Sequence, residues 1–165
     1  MSEKSPARPL PDTRNAGAAF WSAAARGVLL VPKCNACDRT FWHPRPRCPH
    51  CGSDRVDWVE ASGKGTIHTF TVVRQSGDPY FRTQLPYAVA MVELDEGVRL
   101  MSNIVDTPIE SLAIGMRVEV LFEPAASATV VPAKASPEAE VSRNGQAGTQ
   151  PGIAIPLFRA ERTAS

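Results

Sequence analysis

The chain has no apolar run approaching the roughly 18 residues that a membrane span requires. No apolar core follows the lysine of its Met-Ser-Glu-Lys-Ser-Pro start, so neither a span nor a secretory signal is expected, and the cytoplasm is the expected compartment. Charge of one sign is not in excess. Eighteen Lys and Arg face 17 Asp and Glu, a formal charge of +1, whereas a dedicated nucleic-acid-binding domain is usually clearly basic. Also missing are a G-x-S-x-G elbow, a P-loop and a dinucleotide fingerprint. Histidine occurs three times and cysteine four times. Asp95 and Glu96 are adjacent in a turn pattern, where carboxylates are usually just solvated. No catalytic residue and no self-sufficient active site are expected.

What is present is concentrated in the cysteines. Cys34, Cys37, Cys48 and Cys51 are spaced C-x2-C-x10-C-x2-C. In a reducing compartment such pairs read as metal ligands before disulfides. Two intervening residues let a tight knuckle aim both sulfurs at one tetrahedral ion, and two knuckles complete a four-sulfur shell. Gly52 follows the second knuckle and Asp38 the first, both suited to a left-handed turn. A closed shell leaves no place for water or substrate, so the ion is structural. Zinc is the expected metal, with iron its chemical rival. His43 and His50 lie close by but are not needed as ligands, and with every cysteine committed a Cys–His nucleophile is excluded.

Elsewhere the chain divides by texture. After a proline-rich arm, a helix is expected from Asp12 or Thr13, either of which could cap it, to Arg26, with Gly27 ending it. Its rows Phe20–Ala24 and Trp21–Ala25–Val28 must pack on something, either its own domain or a partner. Residues 65–73, 87–94, 98–104 and 117–122 read as short strands with tight turns, Gly63-Lys64-Gly65 as the turn into the first, and Asp95-Glu96-Gly97 as a hairpin connection. That pattern favours a small barrel. His68 falls inside a strand, packed or facing solvent. Residues 124–152 are rich in Ala, Pro, Ser and Gly and hold no aromatic residue, so they read as a flexible insert. The apolar segment 153–158 then returns as a last strand at the barrel edge, where Pro156 is tolerable. The organisation expected is an arm and helix over 1–30, a zinc ribbon over 31–56 and a barrel over 57–160 carrying the insert.

These features occur together and in one order: Ala19-Phe20-Trp21 before a cysteine knuckle, then Pro44-Arg45-Pro46-Arg47-Cys48-Pro49, Gly63-Lys64-Gly65-Thr66, Pro86-Tyr87 and Glu93-Leu94-Asp95-Glu96-Gly97-Val98-Arg99-Leu100. In this the chain resembles the zinc-ribbon and OB-fold family first catalogued as domain of unknown function 35. The match runs from about Ala18 to Phe122, with the Pro156-Leu157-Phe158-Arg159 end; the insert departs from it. The resemblance implies a mainly β protein with an N-terminal helix, a rubredoxin-like zinc ribbon and an OB-fold barrel. It implies association with thiolases, thiolase-like aldolases or acyltransferases, or MaoC-like hydratases, some of them in lipid or steroid side-chain breakdown. In such assemblies the family member resembles a non-catalytic scaffold that helps hold a CoA thioester.

Phosphates of CoA call for cations, best met by bidentate arginine. The candidates are Lys64, Arg74, Arg82 and, ahead of them, Arg45 and Arg47, whose flanking prolines keep the backbone extended. The ribbon stretch 33–55 carries five basic and two acidic residues, a net of +3, which would suit phosphates or be an ordinary solvated face. The competing reading is a single-stranded nucleic-acid module, stacking bases on Phe70, Tyr80, Phe81 and Tyr87.

Overall fold

The computed structural model describes residues 6, 8–13, 15–125 and 152–162. The segment expected as a flexible insert therefore lies, apart from its ends at 124–125 and 152, outside the described residues. The elements run α1 (Ala18–Ala24), β1 (Leu30–Cys34), β2 (Val56–Glu60), β3 (Lys64–Val73), α2 (Pro79–Arg82), β4 (Tyr87–Leu94), β5 (Arg99–Ile104), a 3-10 turn (Ile109–Ser111), β6 (Arg117–Pro124) and β7 (Ala154–Ala160). Strands β1 and β2 form an antiparallel ribbon, and the other five close into a barrel in the order β3-β4-β5-β7-β6. The mainly β architecture expected from the sequence, with its small barrel behind a cysteine ribbon, is the one observed.

Alternation sets the barrel wall. Along β4, Ala88, Ala90, Val92 and Leu94 are buried while the residues between them are half-buried, as in an antiparallel strand with one face on the core. Ile67, Val92, Val118 and Phe158 are fully buried at its centre. The hairpin closes as the sequence indicates, with Gly97 at φ 80° and its N–H donated to the Leu94 carbonyl at 2.9 Å. Gly65 is required for a different reason. A Cβ there would collide with the Glu93 carbonyl oxygen across the β3–β4 pair. The register of β3 slips between Ile67 and Thr69, and His68 at that bulge faces solvent.

Two expectations are corrected and one element is added. The helix begins at Ala18, well beyond Asp12 and Thr13, because the Asn15 side chain accepts the Gly17 N–H at 2.9 Å and turns the chain there. Gly27 does lie in the left-handed region, at φ 77°. Strand β7 is not an edge strand; it lies between β5 and β6. Pro156 is tolerated because its backbone faces the thin β5 seam. One parallel pair, Ile104–Phe158, forms there, and the Ser102 hydroxyl donates to the Pro156 carbonyl at 2.7 Å. A residue's N–H and C=O point to the same side of a strand, so the donor proline lacks is not called upon. Finally, α2 has no counterpart in the sequence reading, although Asp78 caps it by accepting from the Tyr80 and Phe81 N–H groups and Pro79 sits in its first turn.

The helix and ribbon share the barrel's core. Phe20, Leu29 and Val31 are buried in one cluster with Ile67, Val92 and Phe158. Phe20 meets Trp21 and Trp42 edge-on, with ring centroids at 4.9 and 5.1 Å. Of the two destinations open to the helix, its own domain takes Phe20. Phe20→Ala is therefore expected to cost about 3–5 kcal/mol of stability, seen as a lower urea midpoint, while Ser22→Ala on the exposed side changes it little.

On the surface, Arg117 grips Asp95 through two hydrogen bonds of 2.6 and 2.9 Å and Glu161 at 3.2 Å. Lys64 meets the same Glu161 at 2.6 Å. Arg117 holds the Asp95 carboxyl below its ordinary value, and Lys64 and Arg117 do the same to Glu161. A carboxyl depressed by folding stabilises the fold above its unfolded pKa and loses that contribution as pH falls through its folded one. Arg117→Gln should accordingly lower the unfolding midpoint at pH 7, and the gap from wild type should close below about pH 4. A gap unchanged at pH 2 would mean that the network contributes nothing through charge.

Candidate functional site

The ribbon builds two near-identical knuckles. In the first, Cys34 N–H donates to the Arg39 carbonyl at 2.9 Å and Asp38 N–H to the Cys34 carbonyl at 2.8 Å. In the second, Cys48 N–H donates to Ser53 at 2.8 Å and Gly52 N–H to Cys48 at 2.9 Å. Asp38 and Gly52 take φ of 58° and 75°, the left-handed pair expected from the sequence, and Lys33 meets the Asp38 carboxylate at 2.8 Å. Amide N–H groups of Ala36 and His50 point at the Cys34 and Cys48 sulfurs, each at 3.4 Å.

All four sulfurs lie within 4.8 Å of one another. The Cys34–Cys51 and Cys37–Cys48 separations are 3.6 and 3.7 Å. Four sulfurs about 2.3 Å from a central zinc in a tetrahedron stand about 3.8 Å apart, so the residues present fit the ion. Burial pushes the Cys34 thiol up, but the amides of Ala36 and Cys37 and the thiols of Cys51 and Cys37 more than offset it, leaving it at about 7. Burial raises Cys37 against the Arg39 amide and, with the other three thiols, takes it to about 12. Metal binding needs all four sulfurs as thiolates, whose mutual repulsion a shared cation removes. His43 and His50 stand outside this group.

The cationic candidates do not converge on one place. Arg45 and Arg47 are exposed on the loop between the knuckles, where Arg47 reaches the Gly52 carbonyl at 3.3 Å. Lys64 is committed to Glu161. Arg74 and Arg82 do come together, lining a cavity of about 520 Å³ with Gln75, Ser76, Gly77 and Leu85. Arg82 is steered there by the Ser76 and Gly77 carbonyls, each accepting at 3.4 Å.

A second cavity, of about 470 Å³, also takes residues from α2 and has no counterpart in the sequence reading. Tyr80, Phe81 and Tyr87 line it, with centroids 5.2 Å apart for Tyr80–Phe81 and 5.8 Å for Phe81–Tyr87. Three of the four aromatics proposed for base stacking therefore gather here, while Phe70 packs against the barrel core. The same cavity carries Asp106, Glu110 and Glu123, carboxylates that oppose a polyanion. No local pattern could have signalled it, because its walls come from the arm, α2, β4, β5, the 105–110 connection, β6 and β7.

Comparison with known proteins agrees with this architecture. Residues 21–57 match the family described as ChsH2, rubredoxin-like zinc ribbon domain, and residues 58–123 match ChsH2, C-terminal OB-fold domain. The chain is 41% identical over 95 residues to a DUF35 domain-containing scaffold protein of Methanothermobacter thermautotrophicus, covering 57% of this chain and 71% of that one. It is 40% identical over 111 residues to a probable enoyl-CoA hydratase alpha subunit of Thermomonospora curvata, 67% of this chain but 34% of that protein. The chain thus spans about a third of that subunit's length. A chain in the solved structure of the Ltp2-ChsH2(DUF35) aldolase superposes with a TM-score of 0.69 at 32% identity, covering 92% of this chain and 98% of that one.

Structural zinc in small modules contributes on the order of 10–16 kcal/mol of apparent binding energy. Cys48→Ser should lose the metal and melt the ribbon, and elemental analysis should fall from one ion per chain to none. Folded wild-type protein containing neither zinc nor iron would refute the site.

Proposed function

Because the chain belongs to the zinc-ribbon and OB-fold family of DUF35 scaffold proteins, we propose that it is a non-catalytic subunit of an acyl-CoA enzyme complex, partnered by a thiolase-like or hydratase protein. The observation that carries this reading is the near end-to-end likeness to a chain of the Ltp2-ChsH2(DUF35) aldolase structure. The probable enoyl-CoA hydratase alpha subunit among its relatives supports an acyl-CoA enzyme as the partner, and lipid or steroid side-chain breakdown is the setting in which we place it. On this reading the arm and helix (1–30), ribbon (31–56) and barrel with its insert (57–160) together form the adaptor, held by a structural zinc rather than iron. The partner performs the reaction.

The CoA thioester is held jointly with that partner, and its phosphates meet Arg74 and Arg82. These two supply what a diphosphate needs, paired guanidinium donors beside a backbone turn. Lys64 serves the barrel surface instead. Arg45 and Arg47, ahead on sequence grounds, lie on a loop of the ribbon and suit contact with the partner protein. With half of the site on another chain, the isolated protein binds CoA weakly.

Co-expression with the native host's thiolase-like or hydratase candidates should yield a stable complex, and calorimetry should show acyl-CoA binding tightening when the partner is added. Arg74→Ala with Arg82→Ala should then weaken binding by at least about tenfold, since each charge-assisted bond contributes about 1.5–3 kcal/mol. Equal binding by that double variant would move the phosphate site elsewhere, and turnover of acyl-CoA by the isolated chain would overturn the scaffold reading.

A further inference from the structure

The aromatic cavity beside α2 is not needed by the reading above, and its chemistry is opposite to that of the Arg74–Arg82 cavity. Its charged walls are Asp106, Glu110, Glu123 and one cation, Arg8. Arg8 comes from the proline-flanked N-terminal arm, yet its side chain is only 15% exposed. Its Nη1 donates to Glu123 Oε2 at 2.9 Å, and its guanidinium carbon stands 5.8 Å from the centre of the Tyr80 ring. An arginine this covered, on an arm outside any helix or strand, is seated by the site it enters.

We propose that this cavity is a guanidinium-binding site, filled in the isolated chain by Arg8, which straps the N-terminal arm across the side of the barrel. The physical case has three parts. Three carboxylates around one cation leave the walls net negative even with Arg8 in place, so the cavity prefers positive charge. The Tyr80 face attracts a cation through its ring quadrupole, more strongly where water is excluded. Guanidinium also satisfies Glu123 with directed N–H donors, which a compact ammonium does less well. The strap holds because tethering makes the contact intramolecular: a short tether presents Arg8 to its own site at an effective concentration in the mM range. An external guanidinium compound must displace it.

Agmatine, a small molecule ending in a guanidinium group, is the probe, read by NMR on the Tyr80 and Tyr87 ring protons of the full chain. In Arg8→Ala and Arg8→Gln, agmatine should shift those signals with an affinity at least about tenfold tighter than in wild type, where the tether competes. Adding Glu123→Gln to either variant should weaken agmatine about tenfold, and neutral n-butylurea should leave the signals in place. Two unlike Arg8 replacements guard against a fold lost to one of them. Equal agmatine affinity in wild type and both variants would overturn the proposal, as would ring signals that respond neither to loss of Arg8 nor to agmatine. Neither result bears on acyl-CoA binding, which uses the other cavity.

Discussion

Four sulfurs held within 4.8 Å of each other repel as thiolates unless one cation lies between them, and the ribbon depends on that arrangement. Its own buried cluster is Cys34, Phe41 and Cys48, with Cys37 and Val56 half-covered. So small a core cannot offset the ordering entropy of a stretch this long. The ligands themselves make up most of the core, so the metal stands in for the missing apolar residues. Its reach extends past the ribbon. Strand β1 ends at Cys34 and carries Val31 into the barrel cluster beside Leu29. Fixing the knuckle therefore fixes where β1 enters the barrel, and that sets the pocket into which Phe20 falls.

The barrel needs no such help. Its interior is filled by Ile67, Val92, Leu94, Val118 and Phe158, and its ring of strands has few weak places. Those places are the β5–β7 seam, with one ladder pair, and the short β3–β6 pairing at Lys64–Thr66. Each has local reinforcement. Ser102 and the Val105 N–H bridge the first, and the Lys64, Arg117, Asp95 and Glu161 network laces the second. Because those ionic groups are partly exposed, they register the strands more than they stabilise them.

Much of this was legible because local chemistry and global fold agree there. The cysteine spacing, Asp38 and Gly52 as left-handed residues, the alternation in β4 and the hairpin at Asp95-Glu96-Gly97 each carry a complete local signal. The helix start was misplaced because Asp12 and Thr13 are good caps in isolation, whereas an Asx turn at Asn15 decides where the chain bends. Strand β7 looked like an edge because proline excludes a central strand only when its N–H is needed, and which side it faces is tertiary information. Helix α2 was hidden by brevity: four residues give no periodicity, and only the cap at Asp78 and Pro79 marks it. Among the arginines, sequence put Arg45 and Arg47 first for their stiff backbone; that Arg74 and Arg82 line one cavity was not legible, because the turn at Ser76-Gly77 that receives Arg82 is tertiary information.

Net charge conceals the feature of most consequence for ligands. A formal value of +1 reads as electrostatic indifference, yet α2 contributes residues to two cavities of opposite charge. Arg74 and Arg82 line one, and Asp106, Glu110 and Glu123 line the other. The first suits an anionic group and the second opposes one. The aromatic rings sharpen the contrast further, since Tyr80 and Tyr87 favour a cation over their faces, whereas an exposed stacking platform would accept any base.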